Sequence, residues 1–230
     1  MSIQSEILNG VGLISLDRPE KANAYDQAHL EDLRAAFASL TDRTSVIMIR
    51  SAHPRFFCSG ADLDEMKGAT PEDARNLLSQ AVFTEIARSS VITIAVVDGP
   101  AIAGGCELAL ACDLRVIGAG AVFRLPETTL GIIPAAGGCT RLSALLGSSI
   151  AKQVILGGSS ISGDEAVRWG LGVDGGSDTM LTATQWAQRL LAASPEARQS
   201  AKRIIDQAAE DRSLEDERET QAQLYAKRHS

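Results

Sequence analysis

The sequence is sparing with the side chains that build metal sites and nucleophilic triads. Its 230 residues include three histidines and four cysteines. His29, His53 and His229 are too scattered to suggest a metal centre or a Ser-His-Asp triad. Cys58, Cys106, Cys112 and Cys139 form no Cys-x-x-Cys pair and have small or apolar neighbours, so they read as buried, reduced thiols. Positive charge is also short: 22 Lys plus Arg stand against 29 Asp plus Glu, a net charge of −7. With no basic surplus to neutralise phosphates, nothing recommends nucleic acid as a partner, although a local basic mouth for a small anion stays open. Walker A, HExxH and GxSxG sequences are missing. A formal GxGxxG at residues 170–175 follows a predicted helix and leads into no convincing one, so it is set aside as a dinucleotide fingerprint. The longest apolar stretch, Ile92 to Cys112, is broken by Asp98, Gly99, Pro100, Gly104, Gly105 and Glu107 and does not read as a membrane span. The opening MSIQSEILNG has no basic start followed by an apolar core. The expectation is a cytoplasmic protein with no membrane partner.

What is present is ordinary globular material, 45% hydrophobic and 22% charged, which folds at this length without disulfide or metal staples. Val11 to Leu16, after Asn9-Gly10, predicts a strand entered from a turn. Asp26 is placed to cap a helix whose apolar face is Leu30, Leu33, Phe37 and Leu40. Val46 to Ile49 and Val91 to Val97 read as buried strands, and Leu114 to Ile117 as another. Thr70-Pro71 with Asp73 opens a helix predicted to run to about Arg88. Ser162 with Glu165 makes a second capping box, with Gly170 as the stop, and Ser194-Pro195 opens a helix through about Ala209. Glu210 to Arg218 is a charge run, read as a solvated helix face. This rhythm predicts an α/β layered fold with mainly parallel strands, its sheet in the first 140 residues and helices in the remainder.

Three features bear on chemistry. Glu107 is the only charge between Asp98 and Asp113. On so apolar a helix a carboxylate either reaches solvent at a rim or faces a cavity as a general acid or base. Ser59-Gly60-Ala61-Asp62 and Ala103-Gly104-Gly105 each follow an apolar strand and precede a predicted helix. Such turns either pack tightly or aim two backbone N–H groups at one oxyanion. Glu127, after Pro126, reads by itself as an ordinary exposed loop carboxylate.

LDRPEKANA (16–24), FCSGADLDEM (57–66), GGCELALACD (104–113), FRLPETTLGIIP (123–134), GGCTRL (137–142), AVRWGL (166–171) and Ala201-Lys202 occur in this order. Over about residues 5 to 225 the chain resembles the enoyl-CoA hydratase/isomerase (crotonase) superfamily. The resemblance implies an α/β crotonase-like spiral of repeated β-β-α units over 1–190. A C-terminal helical region would cover 191–230, shortened relative to the family, and the assembly would be a homotrimer or a dimer of trimers. It implies an acyl-CoA thioester as partner, with CoA as part of the substrate and no metal or redox cofactor. The backbone N–H groups of Ala61 and Gly104 would hold the thioester oxygen. Glu107 and Glu127 would flank a water that adds reversibly across a 2-enoyl-CoA, giving a 3-hydroxyacyl-CoA. Arg18, Lys21, Ala22, Ala61, Asp62 and Leu63 would contact CoA, with Arg18 and Lys21 read equally as surface charges on a strand-exit loop. The rivals are an isomerase of the same fold and a weak acyl-CoA-binding subunit. Three departures stand out: Ala135 where hydratases commonly have Gly, a short Gly-rich stretch from Gly172 to Thr179, and no last helix before Ser230.

Overall fold

The computed structural model describes residues 2–68, 70–209, 218, 222, 223 and 226. His229 and, Arg218 apart, the charged run from Glu210 lie outside them. The strands, in chain order, are β1 (Ser2–Leu8), β2 (Val11–Asp17), β3 (Val46–Ser51), β4 (Ile92–Val97), β5 (Ala101–Ile102), β6 (Leu114–Ile117), β7 (Val122–Arg124), β8 (Ile161–Ser162) and β9 (Val173–Asp174). The helices are α1 (Gln27–Thr41), α2 (Leu63–Met66), α3 (Pro71–Arg75), α4 (Leu78–Arg88), α5 (Gly104–Ala111), α6 (Gly138–Ile155), α7 (Gly163–Arg168), α8 (Thr179–Ala192) and α9 (Pro195–Ala209).

The larger sheet has the order β1-β2-β3-β4-β6-β9, antiparallel between β1 and β2 and parallel elsewhere. Asn9 and Gly10 both take positive φ, 51° and 81°, as a two-residue hairpin turn requires. Side chains of β3 and β4 point alternately into two cores. Ile47, Ile49, Ala95 and Val97 meet α1, α4 and α5 on one face, while Val46, Met48, Ile94 and Val96 meet α8 on the other. Burial on both faces explains why these strands are continuous apolar runs. A second sheet, β5-β7-β8, continues from the ends of β4 and β6.

The capping residues act as read. Asp26 accepts from His29 N, and Thr70–Asp73 and Ser162–Glu165 are reciprocal capping boxes. The helix predicted from Thr70 to Arg88 is instead two. Asn76 closes α3 through its side chain on Glu72, and Leu77 takes ψ 102°, turning α4 so that Val82, Phe83 and Ile86 enter the core. Among the described residues two strands follow residue 140, and α8 follows the GxGxxG stretch, which itself contains β9; both differ from the sequence expectation. α8 buries small residues, Ala183 and Ala187, and so carries little of an apolar stripe. Cys58, Cys106 and Cys112 are buried free thiols as expected, while Cys139 is partly exposed. Among the described residues no helix is long and apolar enough to cross a membrane.

Lys202 anchors α9. Its ammonium donates to Val91 O at 3.1 Å and to Asp113 Oδ2 at 2.9 Å, and the same carboxylate oxygen accepts from Thr93 N at 2.7 Å. Removing one partner of a buried ion pair strands the other, at a cost of about 3–5 kcal/mol. Lys202→Ala is therefore expected to lower the unfolding free energy by about 3 kcal/mol in a denaturant titration. A change below about 0.5 kcal/mol, the scale of a surface pair, would show that α9 docks without it.

Candidate active site

Parallel pairing of β5 with β7 brings the two glutamates to one edge. Ala101 lies beside Phe123 and Ile102 beside Arg124, and the next bond, Ala103 N to Arg124 O at 2.8 Å, closes the ladder. α5 starts at the exit of β5, and the 3-10 turn Glu127–Leu130 starts just past β7. A third segment joins on the other side: Cys58 bridges to Ala101, and Ala61 bridges to Tyr25. Ala61, Gly104, Glu107 and Glu127, read from the sequence as site residues, thus converge on one end of the smaller sheet.

The turn into α5 is tight. Ala103 adopts φ 50°, which rotates the backbone so that the helix begins at Gly104. A Cβ on Gly105 would lie 2.0 Å from Cys58 O, so only glycine lets α5 approach the 57–61 segment. The packing reading of these glycines therefore holds. It is compatible with the other reading, because Gly104 N lies 3.0 Å from where a Cβ on Gly60 would be. The N–H groups of Ala61 and Gly104 donate to no acceptor among the described residues.

Glu107 is 4% exposed, so the solvent-rim reading falls. Its Oε1 accepts from Ala136 N and Gly138 N, each at 2.8 Å. Gly137, with φ 108°, caps α6 without a side chain, and Glu107 supplies the missing acceptor from α5. Two N–H donors and a helix N-terminus suit the carboxylate form. Ala135, the departure beside these donors, is buried and its carbonyl accepts from Gln80 Nε2 at 2.6 Å. The far end of α5 is fixed by Arg115, which donates to the carbonyls of Ala109, Cys112 and Asp113 and to Leu171 O. Helix C-terminal carbonyls stabilise that buried cation, and burial pulls its pKa below the usual arginine value.

Glu127 contrasts with Glu107. It is 5% exposed, not the exposed loop carboxylate that its sequence context suggested. Its Oε2 is buried without a hydrogen-bond partner among the described residues. Burial raises its pKa to about 7. The two groups therefore differ: Glu107 accepts two backbone N–H bonds, while burial raises the pKa of Glu127 to about 7, an asymmetry that acid/base chemistry can use.

Tyr25 was not singled out from the sequence. Its hydroxyl lies against Gly104 and feels both Glu107 and Glu127. Burial first, then these carboxylates, pushes its pKa well above the usual tyrosine value, so it stays neutral.

At the mouth, Arg18 spans Asp62 at 3.3 Å and Asp26 at 3.7 Å and donates to Ala24 O at 2.8 Å. Lys21 is more exposed and lies 3.4 Å from Asp62 and 3.2 Å from Asp64. Ala22, at φ 49°, accepts from Ser59 N, and Leu63 opens α2 after the Asp62 cap. Among the described residues no cluster of three His, Cys, Asp or Glu is placed to hold a metal.

Residues 6–230 match the family described as enoyl-CoA hydratase/isomerase. The chain is 41% identical over 209 residues to the probable enoyl-CoA hydratase 2, mitochondrial, of Arabidopsis thaliana, covering 88% of this chain and 69% of that one. It is 40% identical over 205 residues to the 2,3-dehydroadipyl-CoA hydratase of Escherichia coli, covering 86% and 79%. The solved enoyl-CoA hydratase of Bacillus anthracis superposes with a TM-score of 0.84 at 32% identity, over 100% of this chain and 92% of that one.

Proposed function

The chain belongs to the enoyl-CoA hydratase/isomerase family, and on that premise we propose that it is an enoyl-CoA hydratase that adds water reversibly to a 2-enoyl-CoA. Its layered α/β architecture is the crotonase fold. The observation that carries the reaction type is the asymmetry of the two buried glutamates: Glu107 accepts two N–H bonds, while the Oε2 of Glu127 has no partner among the described residues and burial raises that group's pKa to about 7.

In this reading the thioester oxygen lies against Ala61 N–H and Gly104 N–H. A water oxygen bonds to C3 while its proton passes to Glu107, and the double-bond electrons move toward the thioester. Enolate charge collects on the oxygen that the two N–H groups hold, each worth about 3 kcal/mol of barrier. Glu127 then delivers its proton to C2. The product carries both hydrogens and the oxygen of one water, and transfer of a proton between the glutamates through solvent restores the site. Glu107, held by two donors, is the acceptor; Glu127, kept protonated by burial, is the donor.

Arg18 holds Asp62 and the loop of Ala22, while Lys21, the more exposed cation, meets a CoA phosphate as Ala61, Asp62 and Leu63 line the thioester path. Lys21→Ala is expected to raise KM for a CoA thioester by about tenfold with little change in kcat, as loss of uniform binding does. A fall in kcat at constant KM would move Lys21 away from CoA.

The reaction is tested by following the conjugated enoyl-thioester absorbance with crotonyl-CoA and identifying the product. Loss of absorbance with formation of a 3-hydroxyacyl-CoA supports the hydratase reading. A shifted double bond without added oxygen assigns the isomerase branch, and no reaction from folded protein overturns both.

A further inference from the structure

The segments that carry the two glutamates are tied to opposite ends of α6. At its N-terminal end, Gly138 N donates to Glu107 Oε1 at 2.8 Å. α6 is not straight: Gly147 takes φ 80° and ψ 159°, which bends it between two helical runs. A straight helix of its 18 residues would end about 27 Å from its start. Glu107 and Glu127 both act electrostatically on Tyr25 and Cys106, so they lie closer together than that. The bend lets the last residue, Ile155, reach the turn Glu127–Leu130.

Thr128, the residue after Glu127, makes that contact: its Oγ1 donates to Ile155 O at 2.8 Å. The carbonyl lies in the last turn of α6, where helical partners run out. Ser159 N, next in the helical pattern, donates instead to Gln153 O at 3.3 Å. The Ile155 end is firm, because Ala151, Val154 and Ile155 are buried in the larger core. Other bonds of the turn are local. Thr129 donates to Pro126 O through both N and Oγ1, Gly131 N to Thr128 O, and Ile132 N to Glu127 O. They shape the turn within residues 126–132, whereas the Thr128 bond fastens it to a separate element anchored in the core.

We propose that Thr128 is a positioning residue for Glu127, its hydroxyl fastening the turn that carries this glutamate to the C-terminal end of α6. The inference rests on the hydratase reading for the part that Glu127 plays in the reaction. α6 then serves as a common brace: Glu107 completes its N-terminus, and Thr128 completes its C-terminus. Releasing the second tie leaves Glu107 held and lets the Glu127 turn move, so that the carboxyl loses both its aim and its burial.

The test measures kcat, KM, the pH profile of kcat/KM and thermal unfolding for wild type, Thr128→Val and Thr128→Ser, beside an NMR titration of the Glu127 carboxyl carbon. Thr128→Val keeps the volume and loses the donor. It is expected to lower kcat about tenfold with KM within about twofold, the split that a misplaced reacting group produces. Its alkaline limb, and the Glu127 midpoint by NMR, should move down by about half a pH unit or more as water reaches the carboxyl. Thr128→Ser keeps the hydroxyl and should stay within about threefold of wild-type kcat. A valine variant that melts lower but keeps the wild-type kcat and limb overturns the proposal, and so does a serine variant no better than valine. Should Thr128→Val not fold, Gly147→Ala loosens the same tie from the other side. A Cβ there meets no atom within 4 Å, so the strain stays in the backbone of the bend. The same downward shift is expected, and an unchanged midpoint overturns the proposal. If wild type turns over no enoyl-CoA, the hydratase reading fails by itself and the NMR midpoint decides. A downward shift in Thr128→Val supports the tie; an unchanged midpoint, or a wild-type midpoint already at the ordinary 4.5, removes it.

Discussion

Glu107→Gln is expected to lower kcat for hydration by about a thousandfold while leaving the fold intact, the scale of removing a general base. The prediction follows from what each atom of that side chain does. Oε1 accepts from Ala136 N and Gly138 N and so completes the N-terminus of α6. The carbonyl of a glutamine can accept the same two bonds, so the cap survives the substitution. Lost is the capacity to take a proton from water. Glu107→Ala removes both functions. It is expected to cost about 1–3 kcal/mol of stability in addition, because two buried N–H groups lose their acceptor. A glutamine variant with near wild-type kcat would remove Glu107 from the chemistry, and one that fails to fold would make its cap the main role.

Glu127→Gln is expected to cost about a hundredfold or more in kcat and, as a second signature, to change two pH profiles. Hydration uses the pair with Glu107 ionised and Glu127 protonated; dehydration uses the opposite tautomer. Both carry one proton, so kcat/KM falls in both directions as pH rises above about 7, where Glu127 loses its proton. That alkaline limb should vanish in the variant's residual activity. Stability runs the same way. Burial raises the folded pKa from 4.5 to about 7, so the folded state binds more protons than the unfolded state between these values. The stability contributed by the protonated group is present below about 4.5 and lost as pH climbs through about 7. Glu127→Gln should therefore match wild type in acid and exceed it above neutrality by up to about 3 kcal/mol. Thermal unfolding at several pH values reads this difference. Equal stability at every pH would mean that Glu127 ionises without penalty and is not the buried donor.

Legibility from the sequence tracked how local the determining physics is. β3 and β4 could be read because both faces of each strand are buried and every residue is apolar from Val46 to Ile49 and from Ile92 to Val97 apart from Thr93. Asp26, Thr70 and Ser162 could be read because a cap acts within three residues of itself. β1 was missed because only Ile3 and Ile7 face the core, though Asn9-Gly10 is a strong hairpin signal. β5, β8 and β9 are two residues each, and their strand character comes from partners far along the chain.

The site divides along the same line. Glu107 stood out as a lone charge in an apolar helix, a local oddity. The acceptor bonds that hold it come from backbone N–H groups 29 and 31 residues away, which no side-chain pattern announces. Glu127 looked exposed because the burial around it comes from other segments. Tyr25 reads as one more core aromatic until Gly104 and Phe83 are seen against it. The family resemblance joined Glu107, Glu127, Ala61 and Gly104 before the fold did, and the fold puts them at one sheet end.

The most direct test of two glutamates adding water across an enoyl thioester is incubation with crotonyl-CoA in oxygen-18 water, followed by mass spectrometry of the product. The expected result is 3-hydroxybutyryl-CoA with one heavy oxygen at C3, formed by wild type and nearly absent with Glu107→Gln. Unlabelled product, a moved double bond without oxygen, or unchanged substrate from folded protein would contradict it.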